Sequence, residues 1–324
     1  MPQNDKVISN YLITSKPHMR AKITTQRIML DVIIALLPAL LIAILNFGIH
    51  GASVIAVAVT SCVFFEWAYQ KIMKKKSTVN DLSAVITGIL IAFGVPATVP
   101  LWTMVAASFF AIIIVKQLFG GIGQNFVNPA LAARAFLLAA YPALVTIYDF
   151  GLPYDAVAGP TPLAVFVEAE LFTPTFGNIW DVLWGFGNTR GAIGEVATIL
   201  VILGGIYLLV RKVINWRIPV FFIGTTAIML FIFGRHGLFT GQPQYEIFLG
   251  ALMLAAFFMA TDYSTSPMTA MGQVVFGIGC GVITAIIRLW GGFPEGVTYA
   301  ILLMNLLVPL IDKLTMPRVY GVAK

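Results

Sequence analysis

The sequence predicts an all-α polytopic membrane protein with about ten transmembrane helices, arranged as two inverted five-helix repeats that include interrupted helices. Hydrophobic residues make up 59% of the 324 residues and charged residues only 10%, whereas soluble domains carry about 25% charged residues. About ten apolar runs follow one another, and most are roughly as long as a bilayer span. The two halves of the chain also share a local motif. These observations together predict the fold class.

The apolar runs define the predicted elements and the domain boundaries. In chain order they are 28–46, 51–71, 82–97, 99–116, 129–147, 195–211, 217–233, 245–260, 270–289 and 297–314. The resulting regions are an N-terminal segment (1–27), a first five-helix repeat (28–147), a loop (148–194), a second five-helix repeat (195–314) and a C-terminal tail (315–324). The third and eighth runs are short and end in proline and small polar residues, which favours interrupted helices.

Basic residues divide unevenly between the two sides of the predicted membrane. If alternate connections lie on alternate sides, 17 of the 20 Lys and Arg residues fall on one side, and only Arg190, Arg235 and Arg288 on the other. Because Lys and Arg concentrate in cytoplasmic loops, we expect both termini in the cytoplasm and the loop 148–194 outside. The net charge of +6 is thus explained by topology. The sequence predicts a lipid bilayer and no nucleic acid as its surroundings.

A short motif recurs about half a chain length apart. Lys116–Gly121 (KQLFGG) closes the fourth run, and Arg288–Gly292 (RLWGG) closes the ninth. Five spans per half is an odd number, so the halves would have opposite orientations in the membrane. Inverted repeats with interrupted helices are typical of folds that place a site near the membrane midplane. Chance similarity between two apolar, glycine-rich segments is the alternative.

Few reactive or charged side chains lie inside the apolar runs. Cys62 and Cys280 are too few for a disulfide framework, and we expect both to be small core residues. Asp31 and Glu66 fall near predicted cytoplasmic ends, where interfacial solvation is the ordinary explanation and an ion pathway the alternative. Alternating glycines in 277–281 predict close helix packing. The sequence predicts no catalytic residue and no metal ligand in this chain.

Two polar segments are candidate binding sites. Asn128 is a natural N-cap with Pro129 at the first helical position, and a helix start of this kind favours an anion such as phosphate. A plain turn is the alternative there. The stretch 261–267 combines five hydroxyls with a carboxylate. Capping explains part of it, and a polar ligand would explain Thr261, Asp262 and Ser264 together.

The predicted outer loop, 148–194, is rich in acidic and aromatic residues. This composition argues against disorder and favours packing on the membrane surface. Within the loop, Asp155–Leu163 (DAVAGPTPL) is by its local chemistry a Gly-Pro turn that carries a hydroxyl.

Several separate motifs resemble one known family. They are Ser15–His18, Asn128–Arg134, the Thr161 loop, Ala260–Asp262, Ile287–Arg288, Phe293–Gly296, Asn305 and Pro309–Asp312. In this order they resemble the RnfD subunit of the Rnf electron-transport complex. They are more distantly similar to the NqrB subunit of the sodium-pumping NADH:quinone reductase. The short N-terminal region before the first run favours RnfD.

This resemblance implies a covalent flavin. In that family a flavin transferase attaches FMN through its phosphate to a threonine, which follows an aspartate by six residues and a Ser/Thr-Gly-Ala triplet directly. Here the threonine is Thr161, with Asp155 and Gly159 at the matching positions, whereas Ala158 and Pro160 depart from the pattern. The resemblance also implies a noncovalent riboflavin, as in some members.

The predicted function follows from the resemblance. The chain would be a membrane electron-transfer subunit of an ion-pumping ferredoxin:NAD⁺ oxidoreductase, coupling electron flow to Na⁺ or H⁺ translocation in a bacterial or archaeal-type cell (inner) membrane. It would require the other membrane and soluble subunits, and a flavin transferase for maturation, and would be inactive alone. The alternative is a solute channel or secondary transporter on the same fold, without flavin. A purely structural membrane scaffold is a third possibility.

Overall fold

The structure, a computed structural model, describes residues 24–146, 163, 183–184, 191–195, 198–234, 237–291 and 296–316. These residues are mainly helical. In chain order the helices are α1 (Thr25–Ile72), α2 (Ser83–Phe93), α3 (Leu101–Phe109, continued by a π-helix at Phe110–Gln117), α4 (Pro129–Ala140), α5 (Pro142–Val145), α6 (Thr198–Val210), α7 (Arg217–Ile232), α8 (Pro243–Glu246), α9 (Leu252–Leu254, continued by a π-helix at Ala255–Met259), α10 (Ala270–Trp290) and α11 (Val297–Thr315). A 3₁₀ turn at Val79–Asp81 precedes α2, and β1 (Phe233–Gly234) pairs antiparallel with β2 (Gly237–Leu238).

Each of the ten predicted apolar runs contains helix. Within the described residues, α1, α10 and α11 are long and apolar enough to cross a membrane, and five apolar helices of 10–17 residues accompany them. The chain is a multi-pass membrane protein. The number of crossings, the inverted repeat and the side on which each terminus lies remain predictions.

A glycine divides α1 into the first two predicted runs. Gly48 has φ 58° and ψ −141° inside an otherwise helical stretch of 48 residues. An unbroken helix of that length would extend about 72 Å, more than twice the hydrocarbon core of about 30 Å. No atom lies within 4 Å of the position that a β-carbon would take. The backbone angle, and not the space, therefore requires glycine here.

We expect Gly48→Ala to lower the free energy of unfolding by about 1 kcal/mol or more, because alanine adopts a positive φ only with strain. Gly224→Ala is the matched control, since Gly224 lies within α7 and also has free space around it. At that position the exchange would leave stability unchanged or raise it by up to about 1 kcal/mol. Denaturant unfolding in detergent compares the two variants. Equal stability would contradict the role given to Gly48.

Two of the apolar runs form helices too short to span a bilayer. The 11 residues of α2 extend only about 16 Å. The helix ends at Phe93, whose carbonyl oxygen accepts from Gly194 N at 2.9 Å, and Ile193 N donates to Val95 O at 3.0 Å. The segment 191–195 thereby satisfies backbone groups that the interrupted helix leaves open, as a nonpolar environment demands.

The fifth predicted run is also divided. Its helix, α4, ends at Ala140, and Pro142 begins the separate helix α5. Tyr141 lies between them with φ −137° and ψ 54°. A residue that precedes proline disfavours the helical conformation, so the single span predicted for 129–147 has the wrong C-terminal boundary.

The alternating glycines of α10 allow close packing on two sides. A β-carbon at Gly277 would lie 3.0 Å from Phe221 Cβ, and one at Gly281 would lie 2.7 Å from Thr225 Cβ. On the other side, a β-carbon at Gly279 would approach the side chain of Met304. The predicted close packing is thus confirmed. Cys62 and Cys280 are fully buried free thiols, as expected of core residues.

Three basic residues that the charge count placed in loops are buried. Lys116, Arg134 and Arg288 are only 3%, 4% and 1% exposed, so they do not report on the side of the membrane. That part of the count was wrong, although the asymmetry keeps its direction without them. Lys116 donates to Ser83 at the start of α2, and Arg288 donates to the carbonyl of Glu246 ahead of α9. The two matched positions thus each hold the segment before a short helix.

Candidate functional site

A cavity lies between residues of the first and second halves of the chain. Four side chains that the sequence analysis singled out, Asn128, Thr261, Asp262 and Ser264, all line it. Its free space, counted up to an open mouth, is about 770 Å³, which is within the range of small-molecule sites. The apolar part of the wall includes Val32, Ile86, Leu90, Leu208, Phe257 and Phe258. The structure therefore brings together two polar segments that lie more than 130 residues apart.

Asn128 caps α4 and also joins the two halves. Its Oδ1 accepts from the backbone N–H groups of Ala130 and Leu131 at 3.0 and 3.3 Å, which confirms the predicted N-cap. Its Nδ2 donates to Met259 O at 3.1 Å. The cap occupies amides that a phosphate at this helix start would need, so Asn128 acts here as a structural bridge on the cavity wall.

Asn305 of α11 reinforces this bridge. In the amide orientation that satisfies both of its ends, Asn305 donates to Thr265 O at 3.0 Å and accepts from the backbone N of Asn128 at 3.1 Å. The side chain is 2% exposed. The sequence motif contained Asn305, but no local pattern indicated its partners, because they lie in distant parts of the chain.

The turn after α9 is organised around Asp262. Its Oδ2 accepts from Ser264 Oγ at 2.9 Å and from Thr265 Oγ1 at 3.2 Å. Thr261 Oγ1 donates to Phe257 O at 2.7 Å. Turn and capping interactions therefore use several of the predicted hydroxyls. Among the described residues no side chain donates to Asp262 Oδ1, which leaves this oxygen for a donor in the cavity.

Beside the cavity lies a buried ion pair that joins α1 to the π-helical end of α3. Lys116 Nζ is 2.8 Å from Glu66 Oε2, and the two side chains are 4% and 0% exposed. Glu66 Oε1 accepts further hydrogen bonds from Thr78 Oγ1, Gln117 Nε2 and Gln70 Nε2 at 3.1–3.3 Å. A buried carboxylate with this many donors can remain charged.

The interfacial solvation expected for Glu66 is wrong. The carboxylate is inside the protein, and Lys116 with three neutral donors takes the place of water. Asp31 is 7% exposed and accepts from Tyr207 Oη at 3.2 Å and from Arg211 Nη2 at 3.2 Å. The Arg211 side chain is 42% exposed, so this second pair does lie near the surface.

Sequence reasoning missed Lys116 and Ser83 as neighbours of the cavity, although both line it. The available signal was the presence of one acid and one base inside two predicted spans, since charges within a membrane usually pair with each other. The charge count used Lys116 as a loop residue and so removed it from consideration.

Comparison with known proteins assigns the chain to a family. The family model described as NQR2, RnfD, RnfE matches residues 12–321. The chain belongs to this family. The resemblance to RnfD is thereby confirmed, and it extends over nearly the whole sequence.

Curated relatives match the chain over almost their entire lengths. It is 48% identical over 315 residues to the RnfD subunit of the Na⁺-translocating ferredoxin:NAD⁺ oxidoreductase complex of Acetobacterium woodii, covering 97% of this chain and 96% of the relative. It is 42% identical over 320 residues to the RnfD subunit of the proton-translocating ferredoxin:NAD⁺ oxidoreductase complex of Clostridium ljungdahlii, covering 96% of each. The corresponding subunit of the ion-translocating oxidoreductase complex of Shewanella amazonensis is 34% identical over 342 residues, covering 96% of this chain and 98% of the relative.

The flavin attachment predicted from the resemblance falls elsewhere in the chain. Asp155, Gly159 and Thr161 lie outside the described residues. Their roles therefore stay predictions that rest on the sequence motif.

We expect Glu66→Gln to lower the free energy of unfolding by about 3–5 kcal/mol, because it leaves the Lys116 ammonium buried without its counter-charge. Asp31→Asn is the matched control and would cost about 1 kcal/mol or less, since its partner Arg211 is largely hydrated. Replacing Lys116 by Gln in the Glu66→Gln background would recover part of the loss. Denaturant unfolding in detergent measures all three. A loss for Glu66→Gln no larger than that for Asp31→Asn would contradict this account.

Proposed function

We propose that this chain is the membrane electron-transfer subunit of an ion-pumping ferredoxin:NAD⁺ oxidoreductase. The observation that supports this most is the 48% identity, over 97% of the chain, to the RnfD subunit of such a complex. Because the names of the relatives describe one subunit of a complex, the proposal includes further membrane and soluble subunits that carry the remaining reactions. One relative is named for Na⁺ and another for protons, so the proposed coupling ion is Na⁺ or H⁺.

The proposal includes FMN bound covalently through its phosphate to Thr161. Support comes from the spacing of Asp155, Gly159 and Thr161 and from family membership. A flavin would supply one-electron chemistry, while the protein sets its distance from partners and its access to solvent. With the uneven distribution of basic residues, we place this loop outside the membrane and both termini in the cytoplasm.

We expect Thr161→Ala to abolish flavin fluorescence that stays with the chain after denaturing electrophoresis, when a flavin transferase is co-expressed. The substitution removes the hydroxyl that would carry the phosphoester. Thr173→Ala, in the same loop, is the control and would keep the fluorescence.

Either of two outcomes would contradict this assignment. A fluorescent Thr161→Ala band would place the attachment at another residue. A dark wild-type band would support the alternative of a flavin-free channel or transporter on the same fold.

The cavity is proposed as the site of the noncovalent riboflavin. Its wall combines apolar side chains, which suit the faces of a flat ring, with the free carboxylate oxygen of Asp262, which suits a hydroxyl donor. Asn128 and the Thr261–Ser264 turn would hold the polar wall in place, because their hydrogen bonds connect the two halves of the chain.

We expect Asp262→Asn to reduce the retention of riboflavin by about tenfold, because a charge-assisted hydrogen bond becomes a neutral one. Ser108→Ala is the control. Ser108 is another buried hydroxyl of the first half, and it donates to Ala58 O away from the cavity. Flavin released by denaturation without covalent attachment, measured per chain, gives the comparison. Equal retention by the two variants would argue against this location.

A further inference from the structure

A chain of hydrogen bonds connects the cavity to the protein surface. Lys116 Nζ donates to Ser83 Oγ at 2.7 Å, and Ser83 Oγ donates to Asp81 Oδ1 at 2.7 Å. Lys116 lines the cavity and is 3% exposed, whereas Asp81 is partly exposed. The three side chains therefore span the distance from a surface acid to the cavity wall without a gap.

The ammonium of Lys116 has one N–H that its described neighbours do not use. A lysine side chain has three donors; here Glu66 and Ser83 accept two of them. Among the described residues no acceptor takes the third, and Lys116 borders the cavity. A group bound in the cavity can accept it.

We propose that Asp81, Ser83 and Lys116 conduct protons between the surface and a redox ligand in the cavity. The inference rests on the proposed function, because it requires a ligand there that gains and loses negative charge. It adds a role for three residues that lie outside the motifs shared with the family.

Each proton transfer along this path balances. A one-electron donor, supplied by the partner subunits, adds negative charge in the cavity, and Lys116 releases a proton from Nζ to the charged acceptor there. One N–H bond breaks, and one bond from the acceptor to hydrogen forms. The neutral amine of Lys116 then accepts the hydroxyl proton of Ser83. Ser83 takes a proton from the Asp81 carboxyl, which is reprotonated by water, and oxidation of the ligand reverses the sequence.

The charges around Lys116 favour its return to the ammonium form. The titratable groups that face it are Glu66 and Cys62 on α1, Asp81 ahead of α2, and Asp262 after α9. When Lys116 is neutral, the Glu66 carboxylate is buried without a counter-charge, which is unfavourable. Glu66 is thus a positioning residue that draws the next proton inward. A route through Glu66 and Thr78 would reach the surface at a hydroxyl without an acid to supply protons.

Ser83→Ala tests the path, because it removes the central hydroxyl and keeps the backbone N–H that Asp81 Oδ1 accepts. The full-length chain is purified in detergent without a flavin transferase and is loaded with riboflavin. Dithionite reduces it in a stopped-flow instrument, with a pH-indicator dye to follow proton uptake. We expect uptake to slow by about 10²-fold, with unchanged riboflavin content and midpoint potential. Small weak acids would restore the rate.

Two further variants and one control complete the test. Ser83→Thr keeps the hydroxyl and would keep the rate, whereas Asp81→Asn removes the surface acid and would slow uptake as Ser83→Ala does. Ser108→Ala, outside the path, would behave as the wild type. An uptake rate for Ser83→Ala equal to that of Ser108→Ala would overturn the relay.

The remaining outcomes separate the relay from the proposal on which it rests. Lower riboflavin content or a shifted midpoint potential in Ser83→Ala, without rescue by weak acids, would show that Ser83 positions the ligand and would also overturn the relay. A wild-type chain that retains no riboflavin would refute the cavity ligand itself.

Discussion

The ion pair between Glu66 and Lys116 is the constraint on which the first half of the molecule depends. A charged group deep in a membrane protein needs a close counter-charge and additional donors. Lys116 supplies the charge, and Gln70, Thr78 and Gln117 supply donors. Since these groups come from α1, the turn before α2 and the end of α3, their mutual satisfaction fixes how those three segments meet. The cavity wall inherits its position from that arrangement.

The second constraint is the backbone of the short helices. Because α2 stops at Phe93 and the π-helix after α9 stops at Met259, peptide groups remain that a nonpolar solvent cannot satisfy. Distant segments satisfy them: residues 193–194 bond to the end of α2, and Asn128 donates to Met259 O. The same contacts join the halves of the chain and leave polar groups at their junction. A ligand site there thus follows from the interruption of helices.

Much of this could be predicted from the sequence, and the rest could not, for physical reasons. Apolar runs are local signals, so helices appear in each of them, and the capping of α4 by Asn128 was readable from two adjacent residues. Side-chain pairs such as Glu66–Lys116 and Asn128–Asn305 join positions far apart in sequence, and no local pattern encodes them. The family motifs indicated that Asp262 and Asn128 matter, whereas only packing shows that they share one cavity.

The π-helix at Phe110–Gln117 has a consequence for how the chain length of this segment is constrained. Its hydrogen bonds connect residues five apart, as from Leu118 N to Ile113 O, so it holds about one residue more per turn than its α-helical neighbour. Each residue of an α-helix turns the next side chain by about 100°. Loss of a single residue upstream would therefore rotate Lys116 away from both Glu66 and the cavity. The register of this helix is in that sense a coded angle, in which an insertion or deletion acts as a rotation of charge.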